Sequence, residues 1–476
     1  MDDMIINPPT TYETACGPIT LTDGYEKHRA MFPPKIEGVQ ILGSVRDPQH
    51  GSHPRKVGCS SMLAGIPYYT FGNVACSKFD GTPVGTVYNA VARALEPFTD
   101  PLLTTYVTTD IDGHVYPLLD LTEGEKNLEE ETGIKTIITT NGAPVEGRMG
   151  SGKGCIWYQK TLRQMKDGLK EHDIYQGTGI APVKVDGVTG ELIGKRILKE
   201  TLLFEQHEPA FGTFCTARDK EYFYLWGKHG VDIYLARVSV YHPFERPFYR
   251  FWNGFAFVPD INMVSPVLTG YAHGVIYPSK LFGHDFHWTF VGNTSWEECT
   301  VMMGAAKDPW GPFQIMQIAT GDVLKASEHF TGCIYAHPWA FKESVGELLI
   351  SWSEKWPRGI LGAKFQFQML HQGAFWKDIS LAEVETCISN LVKTREELFD
   401  MAKAKDVYYE LDTKGFGKVT IKLLGGSAQV IEYVAQGICK ELAKWSRQAM
   451  GMGIEEKKTF KNAFGLAKKL RHKDEN

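Results

Sequence analysis

Five times along this chain a short aromatic or aliphatic run follows a polar turn and ends in a small or charged stop. The runs are IPYYTFGN (66–73), CIWYQK (155–160), YFYLWGK (222–228), FHWTFVGN (286–293) and ELLISWSEK (347–355). Aligned on Tyr69, Tyr158, Tyr224, Trp288 and Ile350, they lie 89, 66, 64 and 62 residues apart. A period of that size carrying strand signals predicts small antiparallel sheets stacked radially, hence a five-bladed β-propeller. Five blades leave a central channel where polar groups from several of them can meet one ligand.

The third unit is the clearest. FGTFCTARD (211–219) and YFYLWGK are two residues apart, as in a hairpin, and VDIYLARVSV (231–240) and FYRFWNGFAFV (248–258) follow. The fourth unit repeats that order, with HGVIYP (273–278), CTVMMGAAK (299–307) and FQIMQIA (313–319) around its aromatic run. The fifth lacks an obvious fourth strand. VQILGSV (39–45), from the other end of the chain, is the natural candidate to close the ring. A polar stretch over 96–133 reads as an insertion that lengthens the first gap. The expected fold is therefore all-β: an irregular lead-in over 1–35, a propeller over 36–375 and a mainly helical appendage over 376–476. In that appendage Ser380 and Glu383 mark a helix start, and 407–424 reads as a hairpin. Residues 427–450 read as a second helix and 457–473 as a basic amphipathic end. Such an end suits an acidic partner, although a solvated helix face is the plainer reading.

Composition narrows the functional class. A net charge of −5 does not suit a polyanion binder, so no nucleic-acid partner is expected. No apolar stretch is long enough for a membrane span, and the opening MDDMIINPPTTYE has no secretory character. The nine cysteines are odd in number and show no CxxC pair, as expected of reduced, buried thiols in a cytoplasmic protein. Aromatics at 12% suit β-rich cores and also stacking on sugar rings.

Short motifs give little chemistry. Gly147-Arg-Met-Gly-Ser-Gly-Lys-Gly154 nearly matches a phosphate-binding loop, but Gly154 stands where Ser or Thr would hold magnesium, and a strand follows instead of a helix. It reads as a glycine-rich hairpin turn. No HExxH, no His/Cys metal spacing and no GxSxG triad is present, so neither metal nor cofactor is expected. What remains are acids and histidines at the starts of candidate inner strands. Glycoside hydrolysis needs two carboxyls across one bond. Asp47, after the first strand, and Glu208, leading into the third unit, are the pair this pattern favours. Asn73, Asn141, His207, His273, His337 and Trp339 are the candidates for shaping the pocket. Each acid reads equally well as a loop residue or salt-bridge partner, and the aromatics as core. Asp285 and Glu354 have similar settings but lie at strand ends expected to face outward.

GVDIYLARV…YRFWNG, AAKDPWGPF and YAHPWAF…GELLISWSE together resemble the blade signatures of the propeller family called domain of unknown function 4185. The resemblance covers about 40–370 and is strongest over 220–367. It implies a five-bladed propeller and, because some members cleave arabinofuranose polymers, carbohydrate hydrolysis. Relatives often carry F-G-D at the end of the first aromatic strand, where this chain has Phe71-Gly72-Asn73. An asparagine keeps hydrogen bonding but cannot exchange a proton as a carboxyl does. Three readings follow: a glycoside hydrolase acting on a furanose-containing glycan, a non-catalytic carbohydrate-binding or scaffold propeller, and an intracellular biosynthetic enzyme acting on a small metabolite.

Overall fold

A computed structural model of the chain describes residues 29–370, apart from 51–54, 79–81, 108, 110–112, 167–169, 198–201, 284–285, 296–297, 327–329 and 356–357, together with strands within 10–22 and 406–424. The chain divides into two compact units, 30–368 and 1–29 with 369–476. The first unit is a mainly β, five-bladed propeller.

Blade 1 comprises Arg55–Leu63, Ile66–Ser77, Ala90–Glu96 and Asp100–Tyr106. In blade 2, Lys135–Thr139 and Val145–Glu146 both lie innermost on Lys153–Lys166, followed by Lys170–Val185 and Leu192–Gly194. Blade 3 runs Ala210–Arg218, Tyr222–His229 and Asp232–Ser239, with Arg250–Trp252 and Pro266–Thr269 sharing its outer edge. Blade 4 is His273–Pro278, Trp288–Asn293, Thr300–Ala306 and Gln314–Thr320. Blade 5 is Phe330–His337, Glu347–Glu354 and Ile360–Phe367, completed by Ile36–Ser44. That last strand pairs antiparallel with Ile360–Phe367, from Leu361↔Ser44 to Phe367↔Ile36, and ties the start of the propeller to its end.

The five aromatic runs are the second strands of the five blades. A second strand has a neighbour on each side within its sheet and a blade against each face, so it is buried throughout: every residue of Trp288–Asn293 is. This is why the runs read as unbroken apolar stretches instead of alternating ones. Their large rings join the blades. Trp157 meets Phe223 edge-on at 5.6 Å, Trp288 meets Tyr224 at 5.4 Å and Trp226 at 5.9 Å, and Tyr69 lies 5.1 Å from His337.

The stretch expected to be a polar insertion holds more order than its composition suggests. Asp100–Tyr106 is the fourth strand of blade 1, and Glu123–Thr132 is a helix. Thr122 and Glu125 cap that helix reciprocally, and Gly133 ends it in a left-handed conformation. Glu125 is also held by Arg196 at 2.5 Å and Lys160 at 2.7 Å, which anchors the helix on blade 2.

In the other unit, Thr10–Thr14 and Gly17–Thr22 form a hairpin within the region expected to be irregular, because threonine and isoleucine favour the extended backbone. The hairpin anticipated at 407–424 is present as Asp406–Thr413 and Gly417–Leu424, and Gly17–Thr22 pairs with its second strand. The helices expected over 380–398, 427–450 and 457–473 lie outside the described residues.

Candidate functional site at the channel mouth

The inner strands stand side by side and run in one direction. Cys59 and Ser61 donate to the carbonyls of Asn141 and Pro144, at 3.2 and 2.5 Å. Thr216 and Arg218 donate to those of Ala143 and Gly147, at 2.9 and 2.7 Å. Ile276 N–H donates to Cys215 Sγ at 3.3 Å, Cys333 N–H to His273 Nδ1 at 3.4 Å, and Ser60 Oγ to His337 Nδ1 at 2.5 Å. Between blades 1 and 2 and between blades 2 and 3, where two contacts fix the direction, higher numbers meet higher numbers. The inner strand is the first of each blade, as in a propeller, so all five begin at one mouth of the channel. At mid-depth Val57, Cys59, Cys333 and Tyr335 pack together, with Ala143 and Val275 against them, and form an apolar floor.

Beside that floor a belt of polar side chains runs through blades 1 to 4. Lys56, the second residue of the inner strand of blade 1, pairs with Asn73 of the second strand; both are exposed. Asn141 lies against Gly72, where an added Cβ would come within 3.4 Å of its Oδ1. Its Nδ2 donates to Gln159 Oε1 at 3.3 Å, and Gln159 Nε2 donates to Thr213 Oγ1 at 3.2 Å, which carries the belt from blade 2 to blade 3. Lys228 follows at the end of the second strand of blade 3, half-buried, and burial lowers its pKa. Burial, and then the Lys228 charge, push His273 of blade 4 down to about 4, so at neutral pH its ring is uncharged. Its Nδ1 accepts from Cys333 of blade 5, which leaves the proton on Nε2. Burial raises the Cys333 thiol to about 11, against smaller opposing effects of bonds to the Val57 backbone and Ser353 and of the Lys56 charge.

The expected residues divide in three ways. Asn73, Asn141 and His273 belong to the belt. His337 and Trp339 do not, because His337 ends its inner strand instead of starting it. Trp339 Nε1 donates to Ser60 Oγ at 2.8 Å, Ser60 donates to His337 Nδ1, and His337 Nε2 donates to Ser351 Oγ at 2.7 Å. Burial lowers the pKa of His337 to about 3, and the neutral ring serves as a buried link between blades 5 and 1. His207 is exposed on the loop before blade 3, with Nδ1 3.6 Å from Glu205.

The two acids expected to be catalytic are bound into the scaffold and have no contact with each other. Asp47 Oδ1 accepts from the backbone of Gln49 at 2.8 Å, the backbone of His50 at 3.0 Å and His50 Nδ1 at 3.0 Å; Oδ2 accepts from Tyr106 N–H at 3.0 Å. Burial alone would raise its pKa, but the bond from His50 and the three amides outweigh burial and lower it. Glu208 forks onto Arg246 at 2.6 and 3.0 Å and caps Glu205 N–H at 2.8 Å. Here too burial raises, but the Arg246 bond, the Glu205 amide and the nearby positive charge together outweigh it, so the carboxyl is held below its ordinary range. Arg246 lies over the rings of Phe204 and Phe251, which fixes the pair. Glu354, expected to face outward, is buried and accepts from Trp352 Nε1 at 2.8 Å and Arg358 at 3.2 Å. Asp285 lies outside the described residues. The glycine-rich 147–154 segment is a turn, as expected, and the Glu146 carboxylate accepts from Gly150 and Gly152 amides within it, at 2.7 and 2.6 Å. Among the described residues no group of three or more His, Cys, Asp or Glu is placed to hold a metal ion.

Lys56, Gln159, Thr213 and Lys228 were not singled out from the sequence. A signal existed: a glycine followed by a polar residue, Gly72-Asn73, Gly227-Lys228 and Gly292-Asn293, recurs in the later half of three second strands.

No family model and no curated protein sequence matches the chain. Among solved structures it is similar to a protein described as a candidate hydrolase from Bacteroides ovatus, at 12% identity and a TM-score of 0.47, covering 66% of this chain and 85% of that one. It is also similar to the Trypanosoma rangeli sialidase in complex with sialic acid, at 7% identity and 0.33, covering 80% and 61%. A third is a subtype N11 neuraminidase-like protein of A/flat-faced bat/Peru (H18N11), at 8% and 0.30, covering 70% and 94%. Identities this low bear on fold alone.

Proposed function

We propose that this chain is a glycan-binding propeller of glycoside-hydrolase-like fold, which takes its ligand at the mouth where the inner strands begin. The observation that carries this reading is the row of amino, amide and hydroxyl groups on blades 1 to 3, continued by the His273 imidazole on blade 4, beside an apolar cluster of the inner strands. Carboxamides offer donors and acceptors together, as sugar hydroxyls require. An apolar base with a few convergent polar groups is the usual make-up of a small-molecule site. The resemblance of the blade sequences to domain of unknown function 4185 adds a furanose-containing glycan as the first class to try.

Cleavage by the pair Asp47 and Glu208 is not part of the proposal. A general acid must hold its proton near neutral pH, and both carboxyls are shifted the other way. The test combines a glycan array with an assay of newly formed reducing ends. Binding that is lost in Asn141→Ala and Gln159→Ala, with no reducing ends released, is the expected result. Release of sugar that collapses in both Asp47→Asn and Glu208→Gln would overturn the proposal in favour of hydrolysis.

A further inference from the structure

The inner edge of blade 2 is broken where it carries Asn141. The ladder of Lys135–Thr139 ends at Thr139↔Gln159, and Val145–Glu146 resumes it at Val145↔Cys155. Residues 140–144 therefore stand opposite 156–158, two more than the ladder can pair, and form a bulge. A bulged carbonyl loses its ladder donor, and a buried one left unpaired is costly. Here the carbonyls are answered by side chains of the two neighbouring blades. Cys59 of blade 1 donates to Asn141 O at 3.2 Å, and Ser61 of the same strand to Pro144 O at 2.5 Å. Thr216 of blade 3 donates to Ala143 O at 2.9 Å. Thr70 Oγ1 backs the Cys59 thiol at 2.8 Å. Blade 3 has its own bulge at 212–214, between Phe211↔Gly227 and Cys215↔Trp226, and a Cβ on Gly142 would lie 2.6 Å from Gly212 O. Asn141 and Thr213, the two ends of the chain through Gln159, thus sit on bulges that touch.

We propose that Cys59, Ser61 and Thr216 are positioning residues of the mouth, whose donors hold the 140–144 bulge and so keep Asn141 in its binding place before a ligand arrives. The inference rests on the glycan-binding reading and deepens it, by naming what sets the geometry of its carboxamide. None of the three belongs to the belt, so their effect passes through the backbone on which Asn141 stands. A carboxamide on an unheld bulge would lose part of its binding free energy to being ordered, and a held one does not. The donors come from both sides, blade 1 and blade 3, which leaves the bulge no free edge along which to shift.

The test uses the full chain with isotopically labelled asparagine and titrates it with an arabinofuranose oligosaccharide. The Asn141 side-chain amide signal is identified by its loss in Asn141→Ala. Thr216→Val, which trades the hydroxyl for a methyl, should weaken binding about tenfold and move the Asn141 signal of the ligand-free protein. Thr216→Ser, which retains the hydroxyl, should restore both. Wild-type affinity with an unmoved signal in Thr216→Val would overturn the inference. Equal changes in Thr216→Val and Thr216→Ser would overturn it too, since packing alone would then be at work. Should Thr216→Val not fold, Cys59→Ala against Cys59→Ser makes the same comparison from blade 1. If the wild-type protein ignores the oligosaccharide, the glycan reading fails and the signal alone decides. A signal moved in Thr216→Val and not in Thr216→Ser then upholds the positioning role, and any other pattern overturns it.

Discussion

Asp47 accepts from three backbone amides and one imidazole, and together these fasten the segment after the closing strand to the outer strand of blade 1. Replacing it with asparagine removes charge-assisted bonds from a buried site and is expected to cost about 1.5–3 kcal/mol of stability at neutral pH. The sign with pH follows from its lowered pKa. The contribution is fully present above the unfolded value near 3.9 and is lost as pH falls through the still lower folded value. Urea titrations of wild type and Asp47→Asn should therefore converge in acid; a gap that widened there would contradict this role. Ser60 is a second such residue, since it accepts from Trp339 and donates to His337. Ser60→Ala leaves both rings short of a partner inside the fold, and about 1–3 kcal/mol should be lost. Glycan binding should be unchanged, because none of these three residues belongs to the belt. If Ser60→Ala abolished binding without lowering the unfolding midpoint, His337 and Trp339 would return to the site.

The strand-ending glycines set how far the belt can reach inward. A Cβ on Gly227 would lie 2.4 Å from Phe211 N, and one on Gly292 would lie 2.3 Å from His273 O. At these places the second strand presses on the inner strand so closely that only glycine fits, and the next residue, Lys228 or Asn293, is delivered to the mouth. Gly227→Ala should force the two strands apart, cost about 1–3 kcal/mol, and weaken ligand binding along with stability. Thermal melts and binding titrations on one preparation would check both; full binding with a wild-type melt would refute the packing argument. These elements were also the most legible ones. The middle of a second strand is buried on both faces, so its sequence there is largely apolar, and all five were readable. Asp100–Tyr106 was not, because DPLLTTY is short, polar at its start and set in a charged stretch, and it becomes a strand by pairing with Ala90–Glu96. The end of each inner strand that lines the mouth was equally hidden. His273 and His337 look alike in sequence, yet one starts its strand and the other ends it.

For the propeller as a whole, closure is the controlling event. Ile36–Ser44 joins a blade whose other three strands span 330–367, so the ring closes only when the two distant parts of the chain meet. Prolines at Gln40 and Ile41 together would remove at least one ladder donor from this strand. The expected result is loss of a single cooperative melt, with blades 5 and 1 the first to gain hydrogen exchange. An unchanged, cooperative transition would show that the closing strand is dispensable. The sequence by itself determined the repeat, the number of blades and the strand that closes them, because burial on both faces leaves a local mark in composition. Only the tertiary structure decided which polar side chains share a site. Ser60 and His337 are 277 residues apart, and Glu208 is answered by an arginine 38 residues on. The fate of a carboxylate, whether free to react or neutralised within the scaffold, depends on the donors that folding brings to it.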